Sequence, residues 1–166
     1  MTARSIDKKT FRLSENEQQF GEIIYDNLFF LKADINVVNT EKYKVEPIGF
    51  LGTRISVTQN ETPIASLSLS WNGKIIITFQ DGQEFSLKLD DIFSNKYILE
   101  NKNNEKLLQI ESKFDWKEFH YINDISYSLE YIINPRNILL LLLSIYSTNF
   151  FIATMSGANA SRPGFA

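Results

Sequence analysis

Apolar and polar residues alternate with a period of two through the middle of the chain. Ala65, Leu67, Leu69 and Trp71 fall on one face and Ser66, Ser68 and Ser70 on the other, the pattern of a strand with one buried side. Asn72-Gly73 follows, a pair suited to positive φ at both centres of a type I′ turn, and the chain returns over 74–80 with Ile75, Ile76, Ile77 and Phe79. Asp81-Gly82 repeats the device, after which Phe85, Leu87 and Leu89 alternate with Glu84, Ser86 and Lys88. Three consecutive antiparallel strands are predicted.

The same pattern extends in both directions. Upstream it predicts strands at 21–25, 29–37, 43–46 and 53–59, the last turning at Asn60-Glu61-Thr62-Pro63; downstream it predicts 96–100, 106–114, 118–122 and 127–133. About ten strands at a spacing of roughly ten residues, without helical periodicity between them, point to an antiparallel barrel or sandwich and not to parallel β-α-β units. Residues 1–19 are polar and carry Arg4, Lys8, Lys9 and Arg12, so they read as a flexible or peripheral segment ahead of a single domain over 20–156. No apolar stretch of signal-peptide length follows the N-terminus, and export by that route is not expected.

The period changes near the end. Asn134-Pro135-Arg136-Asn137 stops the last strand, because proline cannot donate to a ladder and asparagine suits a turn or helix cap. Residues 138–155 then carry no charge and open with Ile138 and five leucines, Leu139 to Leu143. A helix over about 137–155 is predicted, ending near Gly157 ahead of a flexible tail at 157–166. At ~1.5 Å per residue the uncharged run is ~27 Å long, close to the ~30 Å hydrocarbon core of a bilayer. Ser144, Tyr146, Ser147, Thr148 and Asn149 would then sit at the bilayer midplane, where an amide needs a partner and tyrosine is disfavoured. A helix apolar nearly all round also suits the centre of a sheet wrapped about it. A closed barrel of ten or more strands has an interior wider than its own side chains fill. In that arrangement Leu139, Leu142, Leu143, Tyr146 and Phe150 form the plug, and Asn137, Ser144 and Thr148 lie near one face, where strand carbonyls or the barrel mouth meet them.

Composition narrows the function classes. The 166 residues are 43% hydrophobic and 22% charged, as in an ordinary globular domain, and a net charge of −3 provides no general attraction for nucleic acid. The absence of cysteine excludes disulfides, thiolate nucleophiles and cysteine-ligated metals. His120, the only histidine, reads as an outward or satisfied strand residue. Asp90-Asp91 offers hard oxygen ligands but falls where a solvated turn is expected. Gly49-Phe50-Leu51-Gly52 lacks the following helix of a phosphate loop and reads as a bend or bulge. Asn60-Glu61-Thr62 matches a glycosylation sequon but reads as a turn. Trp71, Trp116, Phe29, Phe30, Phe114, Phe119 and Tyr121 stand at strand spacing and are expected in the core, with a ligand cavity as the alternative. No nucleophile, base and orienting group assemble from this inventory, so no enzyme, metal or cofactor is expected.

The turn pairs Asn72-Gly73 and Asp81-Gly82, the strand beginnings Phe93-Ser94-Asn95-Lys96-Tyr97 and Asp115-Trp116-Lys117, and an apolar helix in last position resemble the tubby C-terminal-like superfamily. That group includes tubby, the phospholipid scramblases and the LURP-one-related proteins; the likeness covers about 43–151 and rests on the order of elements. It implies an antiparallel barrel of about twelve strands closed around a hydrophobic C-terminal helix. Tubby domains bind phosphoinositide head groups through clustered lysine and arginine, and scramblases are membrane-associated with calcium-linked activity. Neither residue set transfers. The basic residues here are scattered as Lys74, Lys88, Lys96, Lys102, Lys106, Lys113 and Lys117, and there is no cysteine-rich palmitoylation stretch. The chain is most similar to small bacterial members of the group.

The resulting expectation is a cytoplasmic, non-enzymatic binding or scaffold module, a closed β-barrel of ten to twelve strands around its C-terminal helix, with an unidentified protein or lipid partner and contact with a membrane surface as one option. Two alternatives stand beside it: a tail-anchored protein spanning the bilayer with 138–155, and an intracellular binder of an apolar ligand in the barrel. An imperfectly closed barrel would leave 43–46 or 127–133 as an edge for another chain.

Overall fold

A computed structural model of the chain describes residues 1–27, 31–40, 42–48, 54–91, 93, 95–117, 120–127 and 134–160, the last six as backbone only. Twelve strands follow one another: β1 (Thr2–Ser5), β2 (Thr10–Glu15), β3 (Gln18–Tyr25), β4 (Ala33–Val37), β5 (Tyr43–Ile48), β6 (Arg54–Gln59), β7 (Thr62–Leu69), β8 (Ile75–Phe79), β9 (Glu84–Asp91), β10 (Lys96–Asn101), β11 (Lys106–Asp115) and β12 (His120–Tyr127). Each pairs antiparallel with its sequence neighbours, and β1 pairs with β12, so the sheet closes into a barrel with no free edge. The helix α1 (Pro135–Ala160) threads it.

Three expectations need correcting. Residues 1–19 are not peripheral: β1 and β2 supply two staves of the wall, with Ala3, Phe11 and Leu13 pointing inward and Arg4 and Arg12 outward. Two inward residues per short strand are too few to stand out against four basic ones. The break expected between strands at 118–122 and 127–133 is itself part of a strand, β12, because Asn123 faces the interior and Asp124 the solvent, which continues the alternation from His120 to Tyr127; residues 118–119 and 128–133 lie outside the described residues. The helix runs past Gly157 to Ala160, into the tail expected at 157–166, and 161–166 lie outside the described residues.

The turns also differ from expectation. Gly73 (φ 74°) and Gly82 (φ 84°) adopt the left-handed conformation, while Asn72 and Asp81 do not. Gly73 donates to the Ser70 carbonyl and Ser70 to the Lys74 carbonyl, which makes Trp71-Asn72-Gly73 a three-residue loop ending in a left-handed glycine. The two-residue turns with positive φ at both centres are Asn16-Glu17 (49°, 68°) and Asn60-Glu61 (48°, 64°). The second frees Thr62 and Pro63 to begin β7, opposite a register shift in β6 that accommodates the proline.

The helix is held by apolar packing and by two tyrosines. Leu139, Leu142, Leu143 and Tyr146 are buried as expected, and Phe150 is half-buried. Gly21 of β3 lets the helix approach: a Cβ there would lie 2.6 Å from the Asn36 carbonyl oxygen and 2.8 Å from Leu142 Cδ1. Ser144, Ser147 and Thr148 do not reach strand carbonyls. Their hydroxyls donate to the carbonyls of Leu140, Leu143 and Ser144 one turn back. Asn149 is the polar residue that crosses to the wall, donating from Nδ2 to the Tyr25 hydroxyl at 3.0 Å. Tyr25 stacks on Tyr146, whose hydroxyl donates to the Leu31 carbonyl at 2.6 Å.

These phenols set an alkaline limit on stability. Desolvation pushes the hydroxyl of Tyr97 up to about 12 and those of Tyr25 and Tyr146 up as well. A phenol that ionises more easily in the unfolded chain leaves stability intact below pH ~10 and erodes it as pH rises toward the folded value. Thermal melts are expected to hold steady with respect to these groups up to pH ~10 and to fall between pH ~10 and ~12, with phenolate absorbance from these rings appearing together with unfolding. Full phenolate absorbance in a chain that keeps its circular dichroism would contradict the packing described.

Candidate functional site

Consecutive antiparallel strands place their connections alternately at two rims of the barrel. The helix enters at the β8–β9 rim, where Arg136 pairs with Asp81 at 2.6 Å and lies 4.5 Å above the Phe79 ring. It leaves at the rim that carries Leu31 of the β3–β4 connection, where Phe151 stacks on Tyr97. These are the entry and exit rims.

Exposed apolar side chains gather at the exit rim. Nine large hydrophobic residues are exposed among the described residues. Ile6, Leu31, Ile48, Leu69 and Trp71 belong to four exit-rim connections or the strand ends beside them, and Phe93 and Trp116 belong to two more. Ile24 is on the outer wall one residue from the same rim, which leaves Val38 as the one at the entry rim. Trp71 and Phe93 are fully exposed, and Trp116 is 76% exposed with its ring braced edge-on by Phe114 at 4.8 Å. Phe114 in turn packs against Tyr121. The half-buried Phe150, Phe151 and Ile152 of the departing helix lie at the same end. An apolar collection of this kind on one end of a folded chain marks an interaction surface.

Each exit-rim connection, taken with the strand ends beside it, pairs an apolar residue with a cation. Ile6 is followed by Lys8, Leu31 by Lys32 and Ile48 by Arg54, while Trp71 is followed by Lys74, Phe93 by Lys96 and Trp116 by Lys117. Among the acids there, Asp26 lies in the β3–β4 connection and Glu46 pairs with Lys32 at 3.6 Å, while three others turn back on their own loops. Asp7 accepts from the amides of Lys9 and Thr10, which holds its carboxyl below the usual range; Asp91 accepts from Phe93 and Asp115 from Lys117. The entry rim is acidic in balance, with Glu17, Glu61, Asp81, Glu84 and Glu105 at its turns beside Lys42, Lys102, Lys106 and the Asp81-paired Arg136.

The outer wall between the rims is polar. Arg12 and Glu22 face each other across β2 and β3, and Lys113 bridges Glu111 and Asp124. That is the reverse of a barrel whose lipid-facing wall is apolar.

The candidates singled out in the sequence scatter. Asp90 and Asp91 end β9, with Asp91 engaged in its own turn; His120 opens β12, half-buried; Asn60 forms a β6–β7 turn at the entry rim. Among the described residues no group of three or more histidine, aspartate or glutamate side chains is placed to hold a metal. Trp71 and Trp116, expected in the core, stand in solvent, because the strand alternation that would have buried them ends with the strand. Phe114 and Tyr121 are half-buried behind Trp116, whereas Phe29, Phe30, Phe119 and Gly49-Phe50-Leu51-Gly52 lie outside the described residues. No known family model, curated protein or solved structure matches the chain.

Proposed function

We propose that the protein is a non-enzymatic binding module that sits on a membrane surface through its exit rim. The observation that carries this is the placement of the exposed apolar side chains, eight of nine at or beside the rim from which an apolar helix emerges. Tryptophan and phenylalanine at loop tips, backed by lysine, suit the zone between head groups and acyl chains. The interior favours a surface role over an enclosed ligand, since helix and wall residues bury one another throughout the core. Twelve strands around a C-terminal helix is also the architecture that likeness to the tubby-like group implies, which supports the same reading.

The tail-anchored alternative draws on the helix being long and apolar enough to cross a bilayer, but two-thirds of its most apolar stretch is buried in the barrel. Spanning would strip Leu139 to Tyr146 from the core and part Asn149 from Tyr25.

Flotation with vesicles made from a total polar lipid extract tests the proposal. The chain is expected to stay in the high-speed supernatant without detergent or vesicles and to float with vesicles when they are present. The triple variant Trp71→Ala, Phe93→Ala, Trp116→Ala should lose at least about tenfold in partitioning, given some 1.5–3 kcal/mol for each large apolar side chain that is buried. A wild-type chain that never floats removes the proposal. One recovered only in detergent supports the anchor instead.

A further inference from the structure

Resting on that reading, we infer that the exit rim selects an anionic bilayer and sets the barrel upright on it, with the helix axis along the membrane normal and the entry rim facing away. The inference comes from the charge order of the two rims. A single patch on the wall would lay the barrel on its side. Here all six exit-rim connections, taken with the strand ends beside them, carry an apolar residue together with a cation, so the contact forms a closed ring around the helix exit. The acids of the Asp7, Asp91 and Asp115 loops spend an oxygen on backbone amides of those loops, while Lys8 and Lys117 are exposed. The acidic entry rim sits at the opposite end of the same axis. A chain of net charge −3 is repelled as a whole by an anionic surface, so this separation of charge both permits the approach and fixes its direction.

The chain provides its own probes. Its two tryptophans, Trp71 and Trp116, both stand on the exit rim, and it has no cysteine, so the substitution Glu61→Cys places a single thiol, and the label attached to it, on the entry rim alone. The experiment compares vesicles of phosphatidylcholine with vesicles of equal parts phosphatidylcholine and phosphatidylserine, each with and without brominated acyl chains. Upright docking predicts selective binding to the serine-containing vesicles that weakens with salt. It also predicts a blue shift and bromine quenching of tryptophan emission, with no change in an environment-sensitive dye on the entry-rim thiol. Lys74→Glu with Lys117→Glu should lower partitioning at least ~25-fold, about fivefold for each lysine removed, whereas Lys102→Glu with Lys106→Glu at the entry rim should leave it in place.

Equal binding to both vesicle types with tryptophan quenching would overturn the charge selection and leave rim docking standing. Binding that moves the entry-rim dye and spares the tryptophans would overturn the orientation. No binding to either composition would remove the docking reading itself. A concentration-dependent dimer that Trp71→Ala and Trp116→Ala dissolve would assign the rim to a second copy of the chain and overturn the inference.

Discussion

Leu142→Asp is expected to leave no folded barrel. Leu142 is fully buried in α1, with its Cδ1 over Gly21 of β3 and in the same buried apolar core as Leu13, Ile23, Ile35 and Val45. Among the described residues no lysine or arginine is buried in the core to meet a carboxylate there, and an uncompensated buried charge costs several kcal/mol, comparable with the whole ~5–15 kcal/mol that stabilises a domain of this kind. The milder Leu142→Ala should fold but lose about 2–5 kcal/mol from the missing side chain and the cavity it leaves. Leu69→Ala, on an exposed leucine of the exit rim, should move stability by no more than ~0.5 kcal/mol. Urea titrations followed by near-ultraviolet circular dichroism read all three. The comparison separates the readings of the helix: if α1 were an anchor held apart from the sheet, Leu142→Asp would leave the sheet's urea midpoint unchanged.

The parts of this fold that were legible in the sequence are those in which local signals agree. The alternation from Ala65 to Leu89, punctuated by two glycine turns, is read correctly as three strands because each inward residue is apolar and each turn carries its glycine. The helix stands out because its residues 138–155 lack charge over a length no strand needs. What was missed has local reasons too. Asn16-Glu17 makes a turn without glycine, as the expected turn at Asn60-Glu61 also does, asparagine tolerating the left-handed region and the following glutamate carrying the second positive φ. The short β1 and β2 show their partners only once the barrel closes. Asn137, Ser144 and Thr148 suggested a stripe facing strand carbonyls or the barrel mouth, yet Ser144 and Thr148, like Ser147, bond their own helix, and Asn149 finds a tyrosine 124 positions earlier.

The exit rim was the least legible feature. Its residues are spread from Ile6 to Trp116 in six loops, and only the alternation of an antiparallel meander assembles them at one end. Each aromatic taken alone looks like the last inward residue of a strand. The repeated coupling of an apolar residue with a lysine or arginine is visible in sequence only after it is known which turns share a rim, since the intervening turns carry asparagine and glutamate. Function at this site therefore depends on topology more than on any motif.

Gly21→Val is expected to destabilise the barrel by several kcal/mol, and its cause can be divided experimentally. Gly21 pairs with Leu13 on one side and Val37 on the other, inside the closed sheet, with α1 directly over it. Even the single Cβ of alanine meets the Asn36 carbonyl oxygen at 2.6 Å and Leu142 Cδ1 at 2.8 Å. The leucine tip can rotate away, but the carbonyl belongs to β4 and moves only with the strand. Gly21→Ala should therefore cost about 1–3 kcal/mol as an overpacked site, and the branched valine more, enough to split the helix from the wall. A double-mutant cycle with Leu142→Ala separates the two clashes: removing the leucine should return part of the alanine penalty, a coupling of about 0.5–3 kcal/mol, and leave the share due to the Asn36 carbonyl. Urea midpoints of the four proteins measure it. Strict additivity would mean that α1 does not rest on Gly21, and the reason for a glycine in the middle of β3 would then lie in β4 alone.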